Sequence, residues 1–331
     1  MKKIIAMVAA FALCLTMFAG CTSTGTGDTA SKDADKVYEV GVIQQVQHVA
    51  LDAATEGFKA ALTEKLGDKV NITVQNAAGE AANCGTIANQ FVSAKVDLIM
   101  ANATGALQAA YAATAKIPIV ATSITDYATA LEIDNWTGKT GFNVTGTSDL
   151  APLDQQAQMI KDLFPDAKTV GILYCSGEAN SKYQSTVMQG HLTKLGFTCK
   201  EYTFADSNDV QAITTTACQN SDVIFIPTDN TAASCTGTID GVAAAAKTPI
   251  VAGEEGICKG CGVATLSIDY RSIGYEAGLM AYEILVNGKD PKDMEIGFAT
   301  ELTKKYVESR CTALDVTVPE GYVAIDLDAE Y

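Results

Sequence analysis

The stretch Ser-Asp-Val-Ile-Phe-Ile-Pro-Thr-Asp-Asn-Thr (221–231) decides how the chain is read. An apolar run, Val223–Ile226, stops at Pro227, and Thr228, Asp229, Asn230 and Thr231 follow before a small-residue helical stretch. A short apolar run bounded by turn residues reads as a buried strand. Thr, Asp and Asn in front of a helix read as N-cap chemistry. The same junction places backbone N–H groups and carboxylate or amide oxygens beyond a strand's carboxyl end, where open α/β sheets bind ligands. Taken alone, capping explains these residues as well as binding does.

The arrangement occurs twice, and that shifts the balance. Val-Gly-Val-Ile-Gln (40–44) matches Val-Gly-Ile-Leu-Tyr (170–174). Val-Asp-Leu-Ile-Met-Ala-Asn-Ala-Thr (96–104) matches 221–231, and Ile-Pro-Ile-Val-Ala-Thr-Ser (117–123) matches Thr-Pro-Ile-Val-Ala-Gly-Glu (248–254). Each half alternates strands and helices, which implies parallel sheets with right-handed crossovers. The expected fold is α/β, with two similar doubly wound parallel-sheet lobes joined by a multi-strand hinge and a cleft between them. Residues 37–147 with about 272–296 are assigned to lobe 1, and 148–271 with about 297–331 to lobe 2. Ser148, Asp149 and Asp269 are the expected hinge positions.

The strand ends supply the candidate ligand-binding residues. They are Gln44, His48, Asn76, Asn102, Thr104, Ser123, Thr125 and Asp126 in the first half, and Tyr174, Glu178, Asn180, Thr228, Asp229, Asn230 and Glu254 in the second. Hydroxyl and N–H groups at Ser123 and Thr125 suit a carboxylate, and Asp126 or Asp229 suits an ammonium. Tyr174 or Phe204 offers a ring for stacking. Each capping residue has the plain alternative of a helix cap. The single Trp136 is expected to pack at a domain edge.

Composition narrows the class. The 331 residues carry a formal charge of −16, and an acidic surface argues against nucleic acid. No phosphate-binding glycine loop or catalytic triad is legible, so an enzyme is not expected. No cofactor and no metal are expected either: the two histidines, His48 and His191, lie far from the one Cys-x-x-Cys spacing, Cys258–Cys261. That pair reads as lying in a glycine-rich loop, as free thiols or a local disulfide.

Residues 1–20 combine Lys2 and Lys3 with an apolar run, a secretory signal pattern. Phe-Ala-Gly-Cys (18–21) resembles the lipobox of bacterial lipoproteins, in which Cys21 would carry the lipid. Residues 21–36, rich in Ser, Thr, Gly and Asp, read as a flexible tether.

With these residues in view, the chain resembles the substrate-binding lipoproteins of bacterial ABC transporters, in the family that includes tryptophan- and aromatic-amino-acid-binding members. The resemblance rests on Val-Gly-Val-Ile-Gln…His48-Val-Ala-Leu-Asp52, Gln-Asn76-Ala-Ala-Gly-Glu and Asn143-Val-Thr-Gly-Thr-Ser-Asp149. It also rests on Gly177-Glu-Ala-Asn180-Ser, Pro227-Thr-Asp-Asn-Thr231 and Ala264-Thr-Leu-Ser-Ile-Asp269-Tyr. It implies a type I periplasmic-binding-protein fold, a small zwitterionic ligand such as an aromatic amino acid, an ABC permease as partner, and an extracytoplasmic, membrane-anchored location. The alternatives are the same fold holding a nucleoside, sugar or other polar metabolite, or serving as a ligand sensor.

Overall fold

The computed structural model describes residues 36–328; the signal, most of the tether and the Cys21 lipidation position lie outside the described residues. Both sheets belong to the unit that begins at Val37. The first sheet takes β1 (Tyr38–Gln44), β2 (Val70–Asn76), β3 (Leu98–Asn102), β4 (Ile119–Ile124) and β5 (Val144–Ser148). The second takes β6 (Thr169–Cys175), β7 (Thr198–Phe204), β8 (Val223–Ile226), β9 (Ile250–Ala252) and β10 (Ala264–Ser267). Three short strands follow: β11 (Gly297–Phe298), β12 (Thr303–Tyr306) and β13 (Val323–Ala324). The strand orders are β11-β5-β4-β3-β1-β2 and β13-β12-β10-β9-β8-β6-β7. The shared 2-1-3-4-5 order of the first five strands in each lobe is the structural form of the sequence repeat. All pairings are parallel except β10 with β12.

The central strands are apolar on both faces, as sheets covered by helices on both sides must be. In β3 all five residues are buried, and so are all four of β8. Edge strands β2 and β7 instead alternate with exposed positions. β5 lies in a stretch that reads as an exit loop. Its residues, Val-Thr-Gly-Thr-Ser, are small and polar, yet all five are buried. Thr147 satisfies its hydroxyl on Thr122 and on the Ile273 carbonyl, at 2.8 and 3.1 Å. Gly146 is obligatory here: its φ is +145°, and a Cβ would meet the Ala121 carbonyl.

Three segments pass between the sheets: after β5, between β10 and helix Tyr270–Leu285, and between β11 and β12. The last passage falls after Phe298, because Gly297 and Phe298 pair with Thr147 and Ser148 of β5 and belong to the first sheet. Helix Tyr270–Leu285 returns to the first lobe and packs on helix Val49–Leu66 at very short range. Gly57 sits under the Arg271 carbonyl and Gly274 under that of Ala54, so neither position has room for a side chain. The crossings share one small core of Ala50, Ala53, Ala54, Ala151, Ile268, Tyr270 and Ile273, with Ala299 against it. Tyr270 donates to Asp149 at 2.9 Å and so ties the second crossing to the first. Ser148 Oγ donates to the Thr125 carbonyl at 3.1 Å. Asp269 is exposed and caps its helix through Ser272.

Cys258 and Cys261 are not in a loop. They sit on helix Glu255–Cys261, which Glu254 caps at its start. Arg310 closes its other end, donating to the carbonyls of Lys259 and Gly260 at 3.0 and 2.6 Å. With both termini satisfied, the glycines no longer break the helix. Both thiols are buried, and all eight described cysteines are free.

Candidate ligand-binding cleft

In the first lobe, backbone strain gathers at the strand ends. Three residues with side chains hold left-handed φ there: Ala78 (+55°) after β2, Ala103 (+85°) after β3 and Ser123 (+58°) within β4. Strained non-glycine backbone of this kind concentrates at binding sites. At Ser123 it accompanies a register shift between β4 and β5, a bulge that re-aims the side chain. Helices Ala81–Ala94 and Thr104–Ala113 follow two of these turns, and neither has a side-chain cap at its N-terminus. One of the free N–H groups, that of Gly105, is met by Gln45 at 2.8 Å.

The second lobe presents the opposite chemistry. Glu178, Asp229 and Glu254 are buried at its strand ends, and Asp149 is buried at the hinge. Their partners are backbone N–H, amide and hydroxyl groups. Glu178 accepts from Asn230 and Thr231 backbone N–H groups at 3.0 and 2.8 Å, and from the Asn230 amide at 2.7 Å. Glu254 accepts from the N–H groups of Gly256 and Ile257. Asp149 accepts from Thr125 and Tyr270. The half-buried ion pair of Lys305 with Glu255 engages the neighbouring carboxylate and none of these four. Burial pushes the Asp149 carboxyl up to about 6 and that of Glu254 up to about 7, with neighbouring carboxylates adding to the latter. Asp229 is raised by burial and then by the charge of Glu178.

Between the two lobes several buried acceptors have no partner. Among the described residues, nine buried side-chain polar atoms lack one, and four of these belong to residues at strand ends or at the hinge: His48 Nδ1, Asn102 Oδ1, Ser123 Oγ and Gln156 Oε1. Three are acceptors by necessity. Asn102 donates its amide to the Leu51 carbonyl and the Thr55 hydroxyl. Gln156 donates its amide to the Gly253 carbonyl. Asn230 uses its amide on Glu178, so its Oδ1 must take the His48 Nε2–H, at 3.3 Å. Burial holds the His48 imidazole below its ordinary value, leaving Nδ1 unprotonated. Each buried unmet acceptor costs roughly 1–3 kcal/mol unless something supplies a donor.

The lobes touch across this layer. His48 meets Asn230, and Gln184 donates to Thr125 at 3.4 Å while holding both the N–H and the carbonyl of Thr228. Outside the layer lies a cleft of about 700 Å³. One wall carries Gln45, Gly79, Cys84, Thr104 and Gln108, and the other Cys175, Glu178, Asn180 and Asn230. Small residues, Ala81, Cys84, Ala109 and Ala112, give the first wall its apolar stretch.

Several expected contacts fall elsewhere. Tyr174 turns its ring into the core beside Ile172 and donates its hydroxyl to Glu201 at 2.8 Å, because alternate residues of β6 face opposite layers. Phe204 is core for the same reason. Asp229 has both oxygens occupied, by Ala232 N–H and Cys175 N–H at 2.7 Å each. It caps helix Asn230–Ser234 and does not line the cleft. Asp126 caps helix Tyr127–Ala130 through the Thr129 N–H. Exposed Asn76 folds back on the Ala78 N–H. Gln44 ties β1 to the next helix, accepting from Thr55 at 2.8 Å and donating to Asp52 at 2.5 Å. Trp136 stacks on Tyr127 at 6.5 Å. Asn102, Thr104, Ser123, Thr125, Glu178, Asn180, Asn230 and His48 gather at the interlobe layer or the cleft, with Thr228 and Glu254 behind them on lobe 2.

Gln156, Gln184 and Tyr270 were not foreseen. A signal existed for Gln156: it takes a core-facing position between Leu153 and Ile160 on an otherwise apolar helix face, where a polar residue needs a reason.

The chain has clear relatives. A family model described as ABC transporter substrate binding protein matches residues 39–325. A tyrosine-binding protein of Clostridioides difficile is 35% identical over 322 residues, 95% of this chain and 93% of that one. Among solved structures, an ABC domain from Streptococcus pneumonia in complex with L-Trp superposes with a TM-score of 0.83, at 30% identity over 88% of this chain and all of that one. The ligand-free, open structure of a substrate binding protein with adhesive properties from Clostridium difficile gives 0.66, at 34% identity over 87% and 99%. The better match to the ligand-bound relative, despite lower identity, accords with lobes that meet here through His48–Asn230 and Thr125–Gln184.

Ser123 is where strain and an unmet hydroxyl coincide. A left-handed non-glycine residue costs about 1–2 kcal/mol, partly offset in a glycine by its chain entropy. Ser123→Gly should therefore stabilise the unliganded protein by up to about 1 kcal/mol, read from its urea midpoint. A lower midpoint would show that the serine side chain is a structural support.

Proposed function

The chain belongs to the family of ABC transporter substrate-binding proteins, and from that premise we infer that it captures an aromatic amino acid as a zwitterion between its lobes. The observation that carries this reading is the opposed chemistry of the two lobes. Lobe 1 offers the N-terminus of helix Ala81–Ala94, which has no side-chain cap, and the Ser123 hydroxyl, which suit a carboxylate. Lobe 2 and the first crossing offer buried carboxylates and the unmet Gln156 oxygen, which suit an ammonium, while two further unmet acceptors, His48 Nδ1 and Asn102 Oδ1, lie on lobe 1. A neutral sugar would leave the carboxylates without a counter-charge. The aromatic side chain is supported by two relatives, one called tyrosine-binding and one solved with L-Trp. Its ring would lie along the small-residue wall of Ala81, Cys84 and Ala109, since no aromatic ring is among the described residues lining the cleft.

Closure then works by exchange of partners. Ligand seated on lobe 1 brings its ammonium toward lobe 2, and the lobes swing at the hinge. Water leaves, and the remaining polar contacts strengthen in the drier interior. The bridges His48–Asn230 and Thr125–Gln184 complete the closed form. In this reading the protein carries its ligand unchanged to an ABC permease.

Substrate-binding proteins of this family are extracytoplasmic, and no helix among the described residues is long and apolar enough to cross a membrane. A lipid on Cys21, with residues 21–36 as tether, would hold the protein at the outer face of the membrane. Cys21→Ser should release it from the membrane fraction in cell fractionation; unchanged membrane retention would remove Cys21 as the anchor.

Calorimetry with L-tyrosine, L-tryptophan and L-phenylalanine tests the ligand. The carboxyls of Asp149 and Glu254, raised to about 6 and about 7, hold protons that the unfolded chain would already have lost. The contribution of these two carboxyls to the stability of the unliganded protein is therefore lost as pH rises from about 4 to about 7, against the opposite contribution of the buried His48. An ammonium needs the ionised forms, so affinity should rise over the same upper range and level off above about pH 7.5, with protons released on binding near pH 6. No heat with any of the three, or an affinity indifferent to pH between 5.5 and 7.5, would count against the reading.

A further inference from the structure

We propose that Gln156 is a specificity-determining residue of this site, whose side-chain oxygen accepts a hydrogen bond from the ligand's protonated amine. The proposal rests on the ligand reading above and adds a residue and a role to it. Gln156 lies on helix Leu153–Leu163, which starts directly after the first crossing. It is 1% exposed, between Leu153 and Ile160 on the face turned to the core.

The orientation of its amide is fixed. Nε2 lies 3.0 Å from the Gly253 carbonyl oxygen, and a carbonyl can only accept, so the nitrogen must be the atom placed there. Oε1 is then an acceptor, buried and without a partner. Gly253 is the residue before Glu254, and it packs so closely on Pro227 and Thr228 that a Cβ would collide with their backbone. The amide of Gln156 is thus braced against the joined tips of β8 and β9. Glu254 feels the charge of Asp149. Two carboxylates and an amide oxygen on one side of the layer form an acceptor-rich group for a cation with three N–H bonds. A primary ammonium is that cation. A deaminated acid would leave Oε1 unmet.

The test compares two variants with two kinds of probe. The probes are L-tyrosine and L-tryptophan, and their deaminated counterparts, 3-(4-hydroxyphenyl)propanoate and indole-3-propanoate, the latter measured by displacement at millimolar concentration. Gln156→Met keeps the volume and removes the acceptor. It should weaken the amino acids by about tenfold or more and the deaminated acids by less than about threefold. Gln156→Glu keeps an acceptor but loses the donor to Gly253, and should bind the amino acids more tightly than Gln156→Met does. Equal losses for both kinds of probe in Gln156→Met would overturn the proposal, because a residue that merely supports Gly253 cannot tell an amine from its absence. So would Gln156→Glu binding more weakly than Gln156→Met. Wild-type protein that binds neither amino acid is a different failure, visible before any variant is made, and it overturns the ligand reading itself.

Discussion

Four carboxylates, those of Asp149, Glu178, Asp229 and Glu254, are buried where two lobes meet, held by N–H and O–H groups. Isolated buried charges are costly, and the molecule answers in two ways. Burial raises the Asp149 and Glu254 carboxyls, so that they take up protons more readily than free carboxylates do. The others are wrapped in hydrogen bonds, as Glu178 is by Asn230 and Thr231. Neither answer is complete while acceptors such as Gln156 Oε1 and Asn102 Oδ1 stay unmet. A ligand with a positive end would supply both a counter-charge for the carboxylates and donors for the acceptors, whereas a neutral ligand would supply at most the donors.

The rest of the fold can be read as what is needed to bring such a layer together and take it apart. Two parallel sheets of the same strand order turn their carboxyl ends toward each other. Three crossings join them, packed on one small alanine-rich core. The glycine-mediated contact of helices Val49–Leu66 and Tyr270–Leu285 holds the second crossing against lobe 1. Asp149 belongs to both functions. It lies at the first crossing, and through Tyr270 and Thr125 it joins the crossings to the interlobe layer.

Much of this was legible in the sequence. The repeat of strand-end segments fixed the architecture before any coordinates, since alternating strands and helices permit few topologies. Polar residues at strand ends pointed to the edge of each sheet that lines the cleft. What failed was side-chain direction. Tyr174 stands one residue before the end of β6, and a shift of one residue in a strand reverses the face. Asp229 shows the opposite error: its capping role was visible, yet it was also credited with ligand contact, and both oxygens proved to be committed to backbone N–H groups. The Cys258–Cys261 stretch was misread because its helix depends on Arg310, which is far away in sequence. Gln156 is not legible among the strand ends because it lies on a helix, within an otherwise apolar face.

The identity of the ligand is the most direct test of the charge pattern. Protein purified under native conditions, then denatured and analysed by mass spectrometry, should release a small molecule bearing both a primary amine and a carboxylate, with an aromatic side chain. Release instead of a molecule that lacks the amine, such as a neutral sugar or a carboxylic acid alone, in stoichiometric amount, would contradict the claim that the buried carboxylates exist to meet a cation.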